Sequence, residues 1–262
     1  MQRCDRQEMK SALTFAGSDP TGGAGLQMDL KVFRAFGVHG LSVTAALTAQ
    51  NTSGVGSISS VEKHFFLAQI DLLLEDITPD AMKTGMLYSK WTVEAVAERI
   101  GHYSLNNLVI DPVTVSSSGK SLVEEGTLDR IKDLLFPLSR IITPNIYEAS
   151  VLTGTHVEDE EDMEEAARKL KGTGPEVVII TGGHLERLTL DLYFDGTTFH
   201  KLEGSKIKGE YHGTGCAFSA AIAACLSLGY TPLESAGRAK EFVTEAIKKS
   251  YRMGKGMGLL SV

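Results

Sequence analysis

Short apolar runs that stop at glycine, asparagine or aspartate, each followed by a stretch with helical spacing, recur along this chain. Ser11 to Ala16 runs into GSDPTGGAG (Gly17 to Gly25), and Leu26, Leu30, Phe33 and Phe36 then follow at helical intervals. The run from Leu41 ends at Gln50-Asn51-Thr52, and Asp80 to Thr84 ends at Gly85-Met86. Leu108 to Ile110 ends at Asp111-Pro112, Arg140 to Thr143 at Pro144-Asn145, and Val177 to Thr181 at Gly182-Gly183-His184. Helices are expected over Glu62 to Glu75, Trp91 to Ile100, Leu128 to Phe136, Ile146 to Leu152, Glu160 to Lys171 and Pro232 to Tyr251. Thr189 to Phe194 and Thr198 to Leu202 flank Asp195-Gly196 and read as a hairpin. This alternation specifies an α/β fold, a mainly parallel central sheet with helices on both faces. Right-handed crossovers then bring the strand C-terminal ends to one rim, where ligands bind in such sheets. The polar clusters at those ends are read as walls of one cleft.

The chemistry is concentrated in GEYHGTGCAFSAAIAACLSLG, Gly209 to Gly229. Its small and apolar residues predict a buried helix over 214 to 228, stopped by Gly229. The first N–H groups of a helix lack internal partners and carry partial positive charge, so a glycine-rich turn there admits an anion. Cys216 sits in that turn, and a thiol at a helix N-terminus is expected to ionise more easily than a free one. The alternative is a plain helix cap with a buried cysteine.

Composition narrows the partners. The 262 residues carry a formal net charge of -7 and no long basic run, which argues against a nucleic-acid or membrane-surface partner. Cys4, Cys216 and Cys225 form no CxxC pair, and neither a signal peptide nor a transmembrane run is found. The expectation is one cytoplasmic domain spanning residues 1–262. Gly119-Lys120-Ser121 resembles the end of a Walker A motif, but Thr114 stands where its first glycine is required. Phe218 and Met28 occupy the third glycine positions of two partial dinucleotide fingerprints. No HExxH or GxSxG is present. A phosphate-friendly turn plus strand-end carboxylates suits phosphoryl transfer, which needs an anion cradle, a divalent cation and a group that orients the acceptor. Asp111 and Glu148 are candidates to hold Mg2+. Asp111 fits that role or plain solvation equally, and Glu148 read alone is better explained as a capping or surface carboxylate.

Taken together, ALTFAGSDPTGGAGLQMDLKVF, SVTAALTAQNTSGV, DAMKTGML, ITPNIYEASVLTG, TGGH and HGTGCAFSAA resemble the hydroxymethylpyrimidine/phosphomethylpyrimidine kinases of thiamine biosynthesis, within the ribokinase-like superfamily. The resemblance covers almost the whole chain and implies a three-layer α-β-α fold. It implies two ATP-dependent phosphorylations, of 4-amino-5-hydroxymethyl-2-methylpyrimidine and then of its monophosphate. Gly17, Asp29 and Gln50 would contact the aminopyrimidine, with Met86 lining its pocket. Gly213, Thr214 and Gly215 would form the anion hole, with Cys216 as base or as positioning group. Asn145, Thr181 and Gly183 would face ATP, and Glu148 with Asp111 the Mg2+. A homodimer is the expected assembly.

Three positions depart from the family pattern. Thr181 replaces a lysine, VTVSSSG with Ser116 and Ser117 replaces a segment bearing methionine and lysine, and Glu210-Tyr211 precede the HGTGC turn. Lys83, Lys120, Lys206 and Lys208 are the cations left to compensate. Competing readings are a pyridoxal kinase of the same subfamily, a catalytically weak pyrimidine-binding regulator and a sugar kinase. The last is disfavoured because Cys216 stands where sugar kinases carry aspartate.

Overall fold

The computed structural model describes residues 9–115, 119–183, 189–204 and 206–262. Cys4, Ser116, Ser117 and His184 lie outside them.

The predicted alternation is realised as β1 (Ser11–Ser18), α1 (Gly25–Ala35), β2 (His39–Asn51), β3 (Gly54–Ser60), α2 (Lys63–Leu74), β4 (Ala81–Thr84), α3 (Lys90–His102) and β5 (Leu108–Ile110). It continues with α4 (Thr127–Arg130), β6 (Ile141–Ile142), α5 (Ile146–Thr153), α6 (Glu160–Lys171), β7 (Val177–Gly182), β8 (Thr189–Phe194) and β9 (Phe199–Gly204). The chain closes with β10 (Tyr211–His212), α7 (Thr214–Ser227), α8 (Pro232–Lys248) and β11 (Gly258–Leu259). The large sheet has the order β3-β2-β1-β4-β5-β6-β7-β8-β9. Strands β2, β1, β4, β5, β6 and β7 run parallel, and β3, β8 and β9 extend the two edges antiparallel. A short parallel ribbon, β10 with β11, holds the C-terminal segment against the residues before α7.

Strand alternation divides the core into two layers. Leu13, Phe15, Met82, Ile110, Ile142 and Val178 point to the side covered by α2, α3, α5 and α6. Ala12, Ala81, Val109, Ile141, Val177 and Ile179 point to α1, α7 and α8. Thr14, two positions after Ala12, and Asp111, two positions after Val109 and just past β5, face this second side, where they meet Asp29 of α1 and Ser219 of α7. Helix α7 is buried on all sides, as its run of alanines requires, and it lies between α1 and α8. The fold is therefore three-layered, α-β-α.

Three differences from the sequence expectation have local causes. The polar, glycine-rich stretch Gly54–Ser60 forms an edge strand, because β2 offers it a ladder that no periodicity announces. The helix expected over Leu128 to Phe136 is broken into α4, a π-helical turn (Ile131–Leu135) and a 3-10 turn (Phe136–Leu138), with Pro137 preventing continuation. Helix α8 ends at Lys248 rather than at Tyr251, where the chain turns to pair with Leu259.

Candidate active site

The turn before α7 is shaped by close backbone contact. Gly213 is the N-cap, at φ 82, and a Cβ there would overlap the Gly23 carbonyl. Only glycine allows this conformation next to another chain segment. The N–H groups of Thr214, Gly215 and Cys216 begin the helix and have no acceptor inside it. Gly215 is exposed, while Gly213, Thr214 and Cys216 are partly buried. An anion arriving at the rim finds these donors in place.

Behind the turn lies a charge network built from distant parts of the sequence. Both Asp29 oxygens lie 3.0 Å from Lys83 Nζ, and Thr14 Oγ1 donates to Oδ2 at 2.6 Å. Asp29 and Lys83 are fully buried. Lys83 Nζ is 3.9 Å from Asp111 Oδ2, and Ser219 of α7 donates to that oxygen at 3.1 Å. Burial, the largest single influence, would lower the Lys83 pKa, but the negative charges around it, Asp29 first and Asp111 with it, together hold the ammonium above its ordinary value. Desolvation raises the pKa of Asp111 despite the cation beside it.

This arrangement corrects the expectation for Cys216. Burial of the thiol, with the charges of Asp111 and Asp29 nearby, pushes its pKa up to about 12, against the pull of Lys83. The thiol donates to Asp111 and is not an easily ionised group; burial first, and the carboxylates behind the helix end second, outweigh the helix terminus. The expectation for Asp29 also changes. It was read as a carboxylate presented to a ligand, yet it has no exposed surface and is engaged by Lys83 and Thr14. A ligand reaches it only after neighbouring side chains withdraw.

Gly17 and Gln50 lie at the ends of β1 and β2, and Met86 follows β4. A Cβ on Gly17 would overlap the Met86 methyl, so a larger residue there would displace the end of that side chain. Met86 belongs to a small apolar cluster with Ala46 and Leu122. Gln50 lines a cleft of about 940 Å3, together with Pro20, Thr48, Asn51, Val55 and Lys120. Gln50 also meets His212 Nε2 at 3.1 Å, and His212 meets Asp19 Oδ2 at 2.9 Å. Asp19 ties down the loop over Gly17 to Gly25 by accepting from Thr21 and Ala24. Neither Asp19 nor His212 was singled out as a site residue. The Asp-Pro-Thr sequence, a side-chain-stabilised turn signal, was the available clue to Asp19.

Across the rim, Asn145 and Glu148 form a capping box on α5. Asn145 N–H donates to Glu148 Oε2 at 3.0 Å, and Glu148 N–H donates to Asn145 Oδ1 at 2.9 Å. Capping is thus a role Glu148 fulfils in the fold. Desolvation and the charge of Asp111 raise its pKa to about 8. Thr181 is bridged to Asn145, and Gly183 lies exposed beyond β7. Thr181 pairs across strands with Asp191, which accepts from Lys240 of α8 at 2.8 Å. A lysine from a different element therefore stands beside the strand pair that lacks the expected one. No group of three or more metal-ligating side chains occurs among the described residues.

Comparison with known proteins agrees with this geometry. The sequence model of the phosphomethylpyrimidine kinase family matches residues 19–261. A thiamine biosynthesis bifunctional protein from Geobacter sulfurreducens is 44% identical over 250 residues, which is 95% of this chain and 51% of that protein. The chain thus spans about half of that relative. A hydroxymethylpyrimidine/phosphomethylpyrimidine kinase from Bacillus subtilis is 40% identical, covering 94% of this chain and 92% of its own length. Among solved structures, an ADP complex of Bacillus subtilis pyridoxal kinase superimposes with a TM-score of 0.89 at 37% identity, covering 97% of both chains. With the rim, the anion turn and the paired carboxylates in place, this chain belongs to the phosphomethylpyrimidine kinase family.

Proposed function

We propose that the chain, acting as a single kinase domain, transfers the γ-phosphoryl group of ATP to the hydroxyl of 4-amino-5-hydroxymethyl-2-methylpyrimidine, and then to its monophosphate. The observation that carries this reading is the convergence of an anion-binding helix start, a half-buried thiol and a polar acceptor edge on one rim. Gly17, Gln50 and Met86 form the acceptor pocket, and Asp29 shapes its base through Lys83 and Thr14. The N–H groups of the Gly213–Cys216 turn receive the transferring group, where fixed donors lower the cost of developing charge. Cys216, protonated at neutral pH, positions the acceptor hydroxyl. A loose transition state asks mainly for placement and charge stabilisation, so a strong base is not required. Asn145, Thr181 and Gly183 border the nucleotide.

Two buried carboxylates of like charge, Asp111 and Glu148, are a donor set suited to a hard cation. Mg2+ commonly takes one or two carboxylates and completes its shell with water and substrate phosphates, so these residues fit it. When bound it offsets charge on the nucleotide phosphates. A cytoplasmic homodimer completes the proposal. The free thiols of Cys216 and Cys225 suit a reducing compartment, and the edge strand β3 with exposed Leu47 on β2 offers a surface to a second copy.

One observation favours a second reading, phosphorylation of pyridoxal: the likeness to the Bacillus subtilis pyridoxal kinase. Mass analysis of products from ATP with each substrate separates the two. Mono- and diphosphorylated pyrimidine supports the first, and phosphorylated pyridoxal alone supports the second. Tight pyrimidine binding without ADP release points to a regulator.

A further inference from the structure

The hydrogen bonds around Gln50 define which end of its amide faces the cleft. His212 Nε2 lies 2.9 Å from Asp19 Oδ2 and 3.1 Å from Gln50 Nε2. Asp19 also accepts from Thr21 N–H at 2.8 Å, from Thr21 Oγ1 at 2.9 Å and from Ala24 N–H at 2.8 Å. Burial alone would raise its pKa, but hydrogen bonds from His212 and Thr21 hold it below its ordinary value. An ionised carboxylate only accepts, so His212 Nε2 must carry a proton. Against Gln50 Nε2 that N–H would set two donors face to face, and exchanging the two ends of the amide relieves this by bringing the carbonyl oxygen to His212.

Thr48 accommodates the exchanged amide. Thr48 Oγ1 donates to the Ser18 carbonyl at 2.9 Å, and Gln50 Oε1 stands farther off, at 3.3 Å on the same strand face. With the single hydroxyl proton on Ser18, the lone pairs of Thr48 accept from the NH2 group that the exchange brings there. The two ends of an amide have the same shape and are distinguished by their partners; here His212 decides and Thr48 allows the choice.

Resting on the assignment of Gln50 to the acceptor pocket, we propose that the Asp19–His212 pair sets the polarity of the Gln50 amide, so that the substrate is read there through a hydrogen-bond-accepting atom, an unprotonated ring nitrogen or a carbonyl oxygen. One NH2 proton goes to Thr48, and the other is directed to the cleft that Gln50 lines. His212 is then a positioning residue. It joins the loop over Gly17 to Gly25, the turn before α7 and the end of β2, and it selects the acceptor substrate without belonging to the reacting atoms.

The test compares the wild-type chain with Gln50→Glu, His212→Phe and His212→Gln, using the aminopyrimidine and ATP. Gln50→Glu keeps an oxygen for His212 and loses the NH2, so its acceptor KM should rise at least about tenfold, with the ATP KM little changed. The ratio to wild type should narrow as the pH falls and the new carboxyl regains a donor. His212→Phe should raise the acceptor KM about tenfold, and His212→Gln, which returns an N–H near the Nε2 position, should largely restore it. A wild-type acceptor KM in Gln50→Glu overturns the proposal, as do equal losses confined to kcat in both His212 variants. Failure of the wild type to phosphorylate the aminopyrimidine would instead sink the substrate assignment. The polarity is then still tested by 15N NMR of the wild-type imidazole, where a proton on Nδ1 with a bare Nε2 contradicts it.

Discussion

Behind the turn that precedes α7, Asp29 and Asp111 are both buried, and Lys83 stands 3.0 Å from one and 3.9 Å from the other. At the start of α5 Glu148 is equally buried, but no cation among the described residues pairs with it, and its pKa is raised to about 8. The first side neutralises its charges through the fold. The second holds a carboxylate by helix-capping hydrogen bonds and leaves its charge to be offset when a ligand arrives. In the first of the two proposed steps an uncharged aminopyrimidine meets a polyanionic nucleotide with its counter-ion, and the difference in wiring matches that difference in cargo.

Removing the cation of the first side should have the largest effect. Lys83→Met leaves Asp29 and Asp111 buried without their shared partner, and breaking a buried pair in this way costs on the order of 3–5 kcal/mol. Denaturant unfolding measures it; a loss below about 1 kcal/mol would mean that the carboxylates are not held as charges.

The second side is sharpened by pH. Glu148 has a folded pKa of about 8, against an ordinary value of 4.5. Between these values the folded state binds more protons than the unfolded state, so this group makes stability fall as pH rises from about 4.5 to about 8. The loss in ligand-free protein is on the order of a few kcal/mol. Glu148→Gln keeps an acceptor for the capping box and should flatten the curve over that window. Parallel curves for the two proteins would show that the charge is already compensated.

The smallest effect belongs to the junction between the sides. Cys216→Ala should lower kcat by about 10- to 100-fold and leave the acceptor KM within a few-fold, as expected for placement in the transition state. The same thiol, with a pKa of about 12, should resist alkylation at pH 7 to 8. Rapid alkylation there would restore the thiolate reading.

Much of the fold was legible because strand ends are punctuated. Leu108 to Ile110 and Glu160 to Lys171 have the bounds that their sequences announce. Gly54–Ser60 was not legible, since an edge strand of glycine and serine is defined by its neighbour rather than by its own pattern. In the site, the strand-end clusters pointed to the rim, but pairing across it was invisible. Asp29 and Lys83 are 54 residues apart, and nothing local says that the lysine is buried. The misjudged thiol has the same origin. A helix start is a local feature, whereas the burial that overrides it, with the charge of Asp111 just after β5, comes from the packing of distant segments. His212 looked like part of a glycine turn because its partners, Asp19 and Gln50, lie far away in sequence.

The most direct test of the central claim is the mass of the products formed from ATP, Mg2+ and 4-amino-5-hydroxymethyl-2-methylpyrimidine by the intact chain. The account predicts the monophosphate first and the diphosphate after it. An unchanged pyrimidine, with pyridoxal phosphorylated under the same conditions, would contradict it.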